Sequence, residues 1–168
     1  MKALILTVLL FTAAHLGAQT TRIDPFFSPN GGCTQAIVDT VGAARSTVLV
    51  EAYSFTSHKI TSALIEAKRR GVDVRVILDG SNLTDKYSNL PDLIAAGVPT
   101  WIDSRFKIAH DKVMIIDNVI VITGSFNDSW GAETQNAENL LRITDPNLAA
   151  IYSSRWSQLQ GLSSPYTR

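Results

Sequence analysis

The sequence predicts an α/β fold in which a mixed β-sheet lies between helices, with one domain per chain. Short apolar runs rich in β-branched residues alternate with helical stripes, which is the pattern of strand, helix, strand units. Two apolar runs separated by only two residues then predict a hairpin in the same sheet. The chain of 168 residues, 45% of them hydrophobic, is long enough for one core and too short for two ordinary domains.

The first elements follow in chain order. Residues 24–32 are rich in proline, glycine and polar turn formers, so they predict a surface lead-in without regular structure. Ile37, Val41 and Ala44 recur at helical spacing and predict the first helix. The next elements are a buried strand over 48–55, a helical stripe over 60–67 that ends at Gly71, and a second strand over 72–78.

The later elements complete the pattern. A short helix is predicted over 91–96, ended by Gly97, and a short strand over 98–102. Residues 113–116 and 119–122 predict the two strands of the hairpin. Asp145 is a suitable N-cap and Pro146 a suitable first residue for the last helix. One face of that helix is predicted to bury Leu148, Ile151, Tyr152, Trp156 and Leu159.

The N-terminus predicts a signal peptide over residues 1–18, which leaves 19–168 as the mature domain. Lys2 precedes an apolar run, and small residues near Gly17 and Ala18 suit a signal peptidase. An uncleaved anchor is the weaker alternative, because a membrane span needs about 20 apolar residues. We therefore expect an exported protein, periplasmic or secreted, with no stable membrane insertion after cleavage.

Charge and cysteine content argue against a strongly charged protein, a disulfide within the chain and a structural zinc site. The 15 basic and 15 acidic residues give a formal net charge of zero, so any anion binding must be local. Cys33 is the only cysteine, so it is expected to be a buried inert thiol or to pair between chains. Beyond the signal peptide only His58 and His110 remain, too few for a common structural zinc site. A metal held by carboxylates alone stays open.

The stretch from His110 to Asn127 carries the chemistry. It reads H-x-K, four residues, D, six residues, G-S-x-N. A histidine can attack phosphorus or protonate a leaving oxygen, a lysine can hold phosphate charge, and Ser and Asn can bind phosphate oxygens. Each residue alone is more often structural, but together they favour phosphate-ester chemistry.

A hairpin count places part of this motif on one face. Asp117 and Asn118 tolerate the positive φ of a two-residue turn, so Ile116 is predicted to face Val119. The same register pairs Lys112 with Thr123 and His110 with Ser125, and it puts His110, Lys112 and Ser125 on one face. Asp117 then lies at the turn, where a structural role is expected, and Asp111 points away.

The motif resembles the signature of the phospholipase D superfamily, H-x-K-x4-D-x6-G-S-x-N. The resemblance runs from about Thr34 to Leu159 and is greatest to the short bacterial nucleases, which carry one copy of the signature per chain. The family pattern also has a glutamate downstream, which Glu138 matches. On this resemblance Asp117 and Gly124 are structural members of the motif.

The resemblance implies a homodimer and a two-step reaction without metal or other cofactor. The family builds its active site from two copies of the signature, so His110 of two subunits would meet at a two-fold interface. One His110 would attack phosphorus to form a phosphohistidine while the other protonates the leaving oxygen. Lys112, Ser125 and Asn127 would hold the non-bridging oxygens. Glu138 would orient His110.

Three functions are compatible with these residues. The first is a non-specific endonuclease acting on DNA or RNA, with a positive site supplied by Arg105, Lys107, Lys112 and Arg142. The second is a phospholipase D acting on phosphatidylcholine-type lipids, although the mature chain shows no long apolar loop or basic amphipathic helix. The third is an inactive module that binds nucleic acid or lipid, disfavoured by the complete motif.

Some residues near the motif have no settled role in the sequence. Tyr53 and His58 follow the first buried strand, and the ends of strands often line a site. For His58 a loop position near a helix start is the preferred interpretation. Trp130 follows the motif directly and is suited either to stacking on a base or to packing in an interface.

Overall fold

Eight strands form one mixed sheet in the computed structural model, which describes residues 20–167. The strands are β1 (Arg22–Phe27), β2 (Thr47–Ala52), β3 (Asp73–Asp79), β4 (Thr100–Asp103), β5 (Lys112–Ile116), β6 (Ile120–Gly124), β7 (Asn139–Thr144) and β8 (Ser164–Pro165). Their order across the sheet is β1-β7-β6-β5-β2-β3-β4-β8. The predicted signal peptide lies outside the described residues.

Helices cover both faces of this sheet. They are α1 (Cys33–Gly42), α2 (His58–Arg69), α3 (Leu90–Ala95), α4 (Trp130–Thr134) and α5 (Pro146–Leu162). The larger core lies between the first four helices and one face, and a smaller core lies between α5 and the other face. No helix within residues 20–167 is long and apolar enough to cross a bilayer. The prediction of one α/β domain with a sheet between helices is confirmed.

Three strands lie where the sequence pattern predicts none: β1, β7 and the two-residue β8. Residues 22–27, expected to be part of a loop lead-in, form β1 and pair antiparallel with β7 at the edge of the sheet. Proline is tolerated on an edge strand because one side makes no ladder bonds, so Pro25 does not prevent pairing. β7 lies between β1 and β6, and its pairing on both sides defines it more than its own short pattern does.

The hairpin turn has the predicted position but a different register. Asp117 and Asn118 have φ angles of 53° and 54°, and Val119 N–H donates to the Ile116 carbonyl at 3.0 Å. The strands then pair Ile116 with Ile120 and Val113 with Thr123. Val119 is therefore an extra residue in the turn. The predicted pairs, including His110 with Ser125, are wrong by one residue.

The last helix begins as predicted. The Asp145 carboxylate accepts hydrogen bonds from the N–H groups of Asn147 and Leu148 at 2.9 and 3.1 Å. Trp156 is buried and donates its indole N–H to the Val50 carbonyl at 2.9 Å, which fastens α5 to the sheet. Burial of Ile151 is contradicted, because its side chain is 66% exposed. At 3.6 residues per turn it lies roughly 120° around the helix from the buried stripe.

Candidate active site

The motif lies at one edge of the sheet. β2, β3, β4 and β6 end there, and β5 and β7 begin there, because β5 and β7 run antiparallel to their neighbours. Ala52, the last residue of β2, pairs with Lys112, the first residue of β5. Tyr53, which follows Ala52, is thereby placed beside the start of the motif.

His110, Lys112 and Tyr53 form a contacting group. The rings of Tyr53 and His110 have centroids 4.8 Å apart, and Lys112 Nζ lies 5.1 Å from the centroid of Tyr53. Lys112 Nζ also donates to the His110 carbonyl oxygen at 2.7 Å. Burial lowers the pKa of Lys112, and nearby carboxylates, of which Asp111 acts most strongly, oppose that shift. The imidazole and the ammonium are thus together at an accessible edge.

The backbone before His110 is fixed by a residue that the sequence pattern does not single out. Asp79 is a buried carboxylate at the end of β3, and it accepts from Ala109 N–H at 2.7 Å and from Ser81 N–H at 2.9 Å. Its burial acts to raise its pKa, but the hydrogen bonds to it lower the pKa below its ordinary value. An ionised Asp79 therefore holds the segment that carries His110.

Ser125 and Glu138 contact each other instead of His110. The Ser125 hydroxyl donates to Glu138 Oε2 at 2.5 Å and accepts from Asn139 N–H at 3.1 Å. Asn136 Nδ2 donates to Glu138 Oε1 at 3.1 Å. Within residues 20–167, Glu138 makes no hydrogen bond to His110, so its orienting role stays a prediction.

A bulge lies at the end of β6, where Ser125 follows Gly124. The N–H groups of Ser125 and Phe126 both donate to the Asn139 carbonyl, at 3.1 and 3.2 Å, which interrupts the ladder between β6 and β7. Gly124 has φ +155°, and a Cβ at this position would overlap the same carbonyl oxygen. Only glycine fits there, which agrees with a structural role for Gly124.

Asn127 has a free polar atom at the site. Its Oδ1 is buried and has no hydrogen-bond partner among the described residues. A buried polar atom without a partner is unfavourable, and the two ends of an asparagine amide exchange places when the group turns over. Among the described residues, Asn127 Oδ1 is the one buried side-chain polar atom that lacks a partner.

Asp128 is a buried carboxylate that the sequence reasoning missed. It is 6% exposed, and it borders a small cavity together with Lys112 and Phe126. Its backbone carbonyl accepts from Thr56 and Ser57 N–H at 2.9 and 2.8 Å. Burial raises the pKa of Asp128 to about 7, and the charge of Lys112 acts in the opposite direction. The position directly after G-S-x-N was its only signal in the sequence.

Because the pKa of Asp128 is raised, Asp128→Asn is expected to increase the stability of the fold by an amount that depends on pH. The folded protein holds a proton that the unfolded chain has lost between about pH 4 and pH 7, so this carboxyl lowers stability as pH rises through that range. Asp128→Asn is expected to raise Tm at pH 8, with a gain that shrinks towards pH 4. Thermal unfolding of both proteins at several pH values measures this. An equal gain at every pH would contradict the assignment.

Two further carboxyl groups, Glu51 and Asp111, interact on the face of the sheet opposite to Lys112. Glu51 is buried, and burial, followed by the charge of Asp111, raises the pKa of Glu51 to about 8. Val113 and Ile115, which alternate with Lys112 and Met114 along β5, pack on the α5 side. The interaction of Asp111 with Glu51 supports the expectation that Asp111 points away from Lys112.

Asp117 lies at the other end of the hairpin. Its carboxylate accepts from the N–H groups of Arg45, Ser46 and Thr47 at 2.9, 2.7 and 3.0 Å, and from the Ser46 hydroxyl at 2.8 Å. Burial acts to raise its pKa, but these hydrogen bonds lower the pKa below its ordinary value. The contacts tie the turn to the loop between α1 and β2 and support a structural role.

Asp117→Asn is expected to reduce stability and leave the chemistry intact. The amide removes the charge and part of the acceptor capacity of a group that holds three N–H donors, so a loss of about 1–3 kcal/mol is expected. The loss is greatest near neutral pH and shrinks as pH falls and the wild-type carboxylate is protonated. Urea unfolding measures it, with the exposed Asp39→Asn as a charge-matched control. A stable but inactive Asp117→Asn protein would contradict this role.

The positive site is smaller than the sequence predicts. Arg142 is paired with Asp24 at 2.9 Å, and Arg105 with Asp103 at 3.0 Å. Lys107 and Lys112 are in no ion pair within the part of the chain that the structure describes. The expected contribution of Arg142 and Arg105 is therefore not supported, because neighbouring carboxylates neutralise both.

Cys33 begins α1 and is fully buried. Burial, with a further contribution from Glu133, raises the pKa of its thiol to about 11. A thiol of this kind is unreactive at neutral pH.

The fold and the motif define a class of phosphodiester hydrolases. Residues 37–159 match the family model described as cardiolipin synthase, PLD-like domain. The chain belongs to the phospholipase D superfamily, as the resemblance of the motif indicated.

Relatives and solved structures support this family. The chain is 43% identical over 136 residues to a phospholipase D of Rickettsia bellii, covering 81% of this chain and 68% of that one. It is 31% identical over 150 residues to a mitochondrial cardiolipin hydrolase of Xenopus laevis, covering 83% and 71%. The crystal structure of Nuc from Salmonella typhimurium, a phospholipase D family member, matches with TM-score 0.84 and 36% identity over 89% of this chain and 100% of that chain. NucT from Helicobacter pylori matches with TM-score 0.82 and 25% identity over 88% and 100%.

Proposed function

We propose that this protein is a metal-independent endonuclease that cleaves DNA or RNA through a phosphohistidine in a homodimeric active site. The observation that carries the proposal is the complete motif at one sheet edge, with His110 and Lys112 in contact, in a chain that has one copy of it. The similarity to Nuc and NucT, which covers the whole of each of those chains and 89% and 88% of this one, supports an enzyme of the same kind.

The dimer follows from the number of histidines. His110 is exposed at the sheet edge, so a second subunit can approach it. An imidazole nitrogen of one His110 forms a bond to phosphorus as the bond to the leaving oxygen breaks, and the second His110 gives that oxygen its proton. Water then attacks phosphorus as the bond to the histidine nitrogen breaks, and the second His110 takes the proton from water. One imidazole cannot do both tasks at once.

The remaining motif residues suit the charge of the reacting phosphate. Lys112 presents an ammonium beside His110, where it stabilises negative charge on the non-bridging oxygens. Asn127 supplies an amide N–H donor, as the motif predicts, once its side chain turns so that Nδ2 faces the phosphate. Ser125 reaches the phosphate only if its hydroxyl leaves Glu138, and Glu138 is then free to accept from a His110 ring nitrogen.

One structural observation favours the second candidate, a phospholipase D. The loop before His110 carries Phe106 and Ile108 with their side chains 49% and 46% exposed, next to Lys107. Exposed apolar groups beside a cation suit the surface of a phospholipid membrane. The names of the Rickettsia and Xenopus relatives point in the same direction.

Cleavage assays in EDTA separate the candidates. The mature protein is incubated with plasmid DNA, RNA, and vesicles of phosphatidylcholine or cardiolipin, with His110→Ala as the inactive control. Nucleic-acid cleavage that persists in EDTA and is lost in the variant is the expected result. Headgroup release without nucleic-acid cleavage would replace the first candidate by the second, and no turnover on any of these would indicate a binding module.

A loop variant sharpens the same assay. Changing Phe106 and Ile108 together to Ser removes the exposed apolar surface and keeps Lys107. Under the nuclease proposal, DNA cleavage retains its kcat. A large loss of headgroup release from vesicles, with DNA cleavage unaffected, would show that this loop binds lipid.

We also propose that the chain is exported, on the basis of the apolar N-terminus alone. Expression of the full chain in a bacterial host, followed by mass spectrometry of the product, tests this. A mature N-terminus near Gln19 is expected. An intact Met1 in the cytoplasmic fraction would contradict export.

A further inference from the structure

A cavity of about 570 Å³ opens beside the site, bounded by the start of α2, the segment before α3 and the start of α4. His58, Lys86, Tyr87 and Trp130 line it, and we call it the aromatic cleft. The side chains of Tyr87 and Trp130 are 67% and 65% exposed, so neither ring belongs to the core. Two large rings left in water at one cavity are suited to a flat ligand.

Two chain segments connect the aromatic cleft with the motif. The segment 53–58 begins at Tyr53, which contacts His110, and reaches the cleft at Thr56 and His58. The segment 127–130 begins at Asn127 and reaches the cleft at Trp130. The two segments are joined where Thr56 and Ser57 N–H donate to the Asp128 carbonyl.

The distance along these segments fits a nucleic-acid strand. Three residues span at most about 10 Å of extended chain, so Trp130 cannot lie farther than that from Asn127 by Cα position. Stacked nucleotides advance roughly 3.4 Å each along one strand. A base in the aromatic cleft is therefore a few nucleotides at most from a phosphate held at the motif.

The side chains of the aromatic cleft suit a base better than an acyl chain. Aromatic rings stack on the face of any base, which gives binding that tolerates every sequence. Lys86 Nζ lies 4.8 Å from the Tyr87 ring centroid, which places a cation at the wall of the cavity beside that ring. Thr56 and Asp92 add polar groups to the walls, and an acyl chain would leave these groups without partners.

We infer that the aromatic cleft binds an unpaired base of a single-stranded nucleic acid, next to a scissile phosphate held at His110. In a duplex the faces of the bases are covered by their neighbours, so the two rings could not stack on them. This inference rests on the proposed nuclease function and narrows its substrate to unpaired strands.

Binding of a labelled oligonucleotide tests the aromatic cleft without turnover. Fluorescence anisotropy of a thymidine 12-mer is measured with the His110→Ala protein as parent, and Trp130→Ala and Tyr87→Ala are added to it singly. Each is expected to raise Kd about tenfold, the scale of one lost base stack. Trp130→Phe, which keeps a ring, is expected to recover most of the affinity. Ile151→Ala, an equally exposed apolar residue on α5, is the control and leaves Kd unchanged.

An abasic 12-mer of the same length provides the decisive comparison. If the rings stack on bases, the abasic strand binds the parent more weakly than the Trp130→Ala protein binds the normal strand, because it loses the contacts of both rings. Trp130→Ala is then expected to weaken binding of the abasic strand little further, because the strand already lacks the base that Trp130 contacts. Equal losses from Trp130→Ala on normal and abasic strands would overturn the inference, and so would unchanged Kd values.

Further outcomes separate this inference from the proposed function. Wild-type cleavage of a single strand in EDTA with no effect of Trp130→Ala on its KM would leave the nuclease standing and remove the aromatic cleft. Base-dependent binding without any cleavage would support the aromatic cleft and contradict the nuclease. If Trp130→Ala weakened binding only to phospholipid vesicles, the cleft would be a lipid site instead. If it changed only the sedimentation mass, the cleft would belong to the subunit contact.

Discussion

His110→Ala is expected to lower kcat for phosphodiester hydrolysis by at least about 10⁴-fold. General acid catalysis alone contributes about 10²–10⁴ in enzymes, and in the proposed dimer this change removes the nucleophile as well as the acid, because the same residue supplies both. Hydrolysis of bis(p-nitrophenyl) phosphate and of single-stranded DNA, both in EDTA, measures the effect. A variant with activity near wild type would contradict the proposed mechanism.

The fold is not expected to suffer from this change. His110 is exposed, and its ring contacts Tyr53 at the surface edge, so Ala leaves no cavity in the core. Tm and circular dichroism are expected to match those of the wild type. A protein that unfolds on this substitution would show that loss of activity has a structural cause.

Mixed dimers test whether two subunits share the site. If each reaction needs His110 from both chains, equal mixing and exchange of wild type and His110→Ala leaves activity in roughly one quarter of the dimers, as random pairing requires. Independent sites would keep one half of the activity. The second result would remove the two-fold site from the proposal.

The sequence predicts the centre of the fold better than its edges. Strands β2 and β3 with helix α2 between them have a local pattern that decides their structure, as does α5 with its Asp145 cap. Strand β1 has no such pattern, because Pro25 and the loop formers after it conceal a strand that β7 completes through long-range pairing. Edge strands depend on their neighbours, which a local pattern does not show.

The site shows the same division. The motif and the turn at Asp117 could be predicted because both are local, and positive φ at Asp117 and Asn118 agrees with the turn. The face of the sheet on which Ser125 lies could not be predicted. One extra residue in the turn, Val119, shifts the register of β6 against β5 and so changes which side chains share a face. Asp128 was missed because only its burial beside Lys112 separates it from an ordinary turn residue.

Lys112→Ala is expected to lower kcat about 10²–10³-fold, the scale of a removed donor that stabilises charge in the transition state. The loss falls on kcat more than on KM, since the ammonium acts most strongly on the charge that develops as phosphorus is attacked. Steady-state kinetics on a single-stranded substrate separate the two parameters. Activity within tenfold of wild type would exclude the assigned role.

Removal of Lys112 also affects Asp128, which gives a way to separate catalysis from stability. The charge of Lys112 partly offsets the burial of Asp128, so Lys112→Ala alone leaves that carboxyl without its compensating cation and lowers stability above about pH 7. Adding Asp128→Asn removes the buried charge, and the double variant is expected to regain Tm at pH 8. Its kcat is expected to stay low, because no ammonium faces the phosphate. If the double variant regained activity with its Tm, Lys112 would be acting through the fold and not on the reaction.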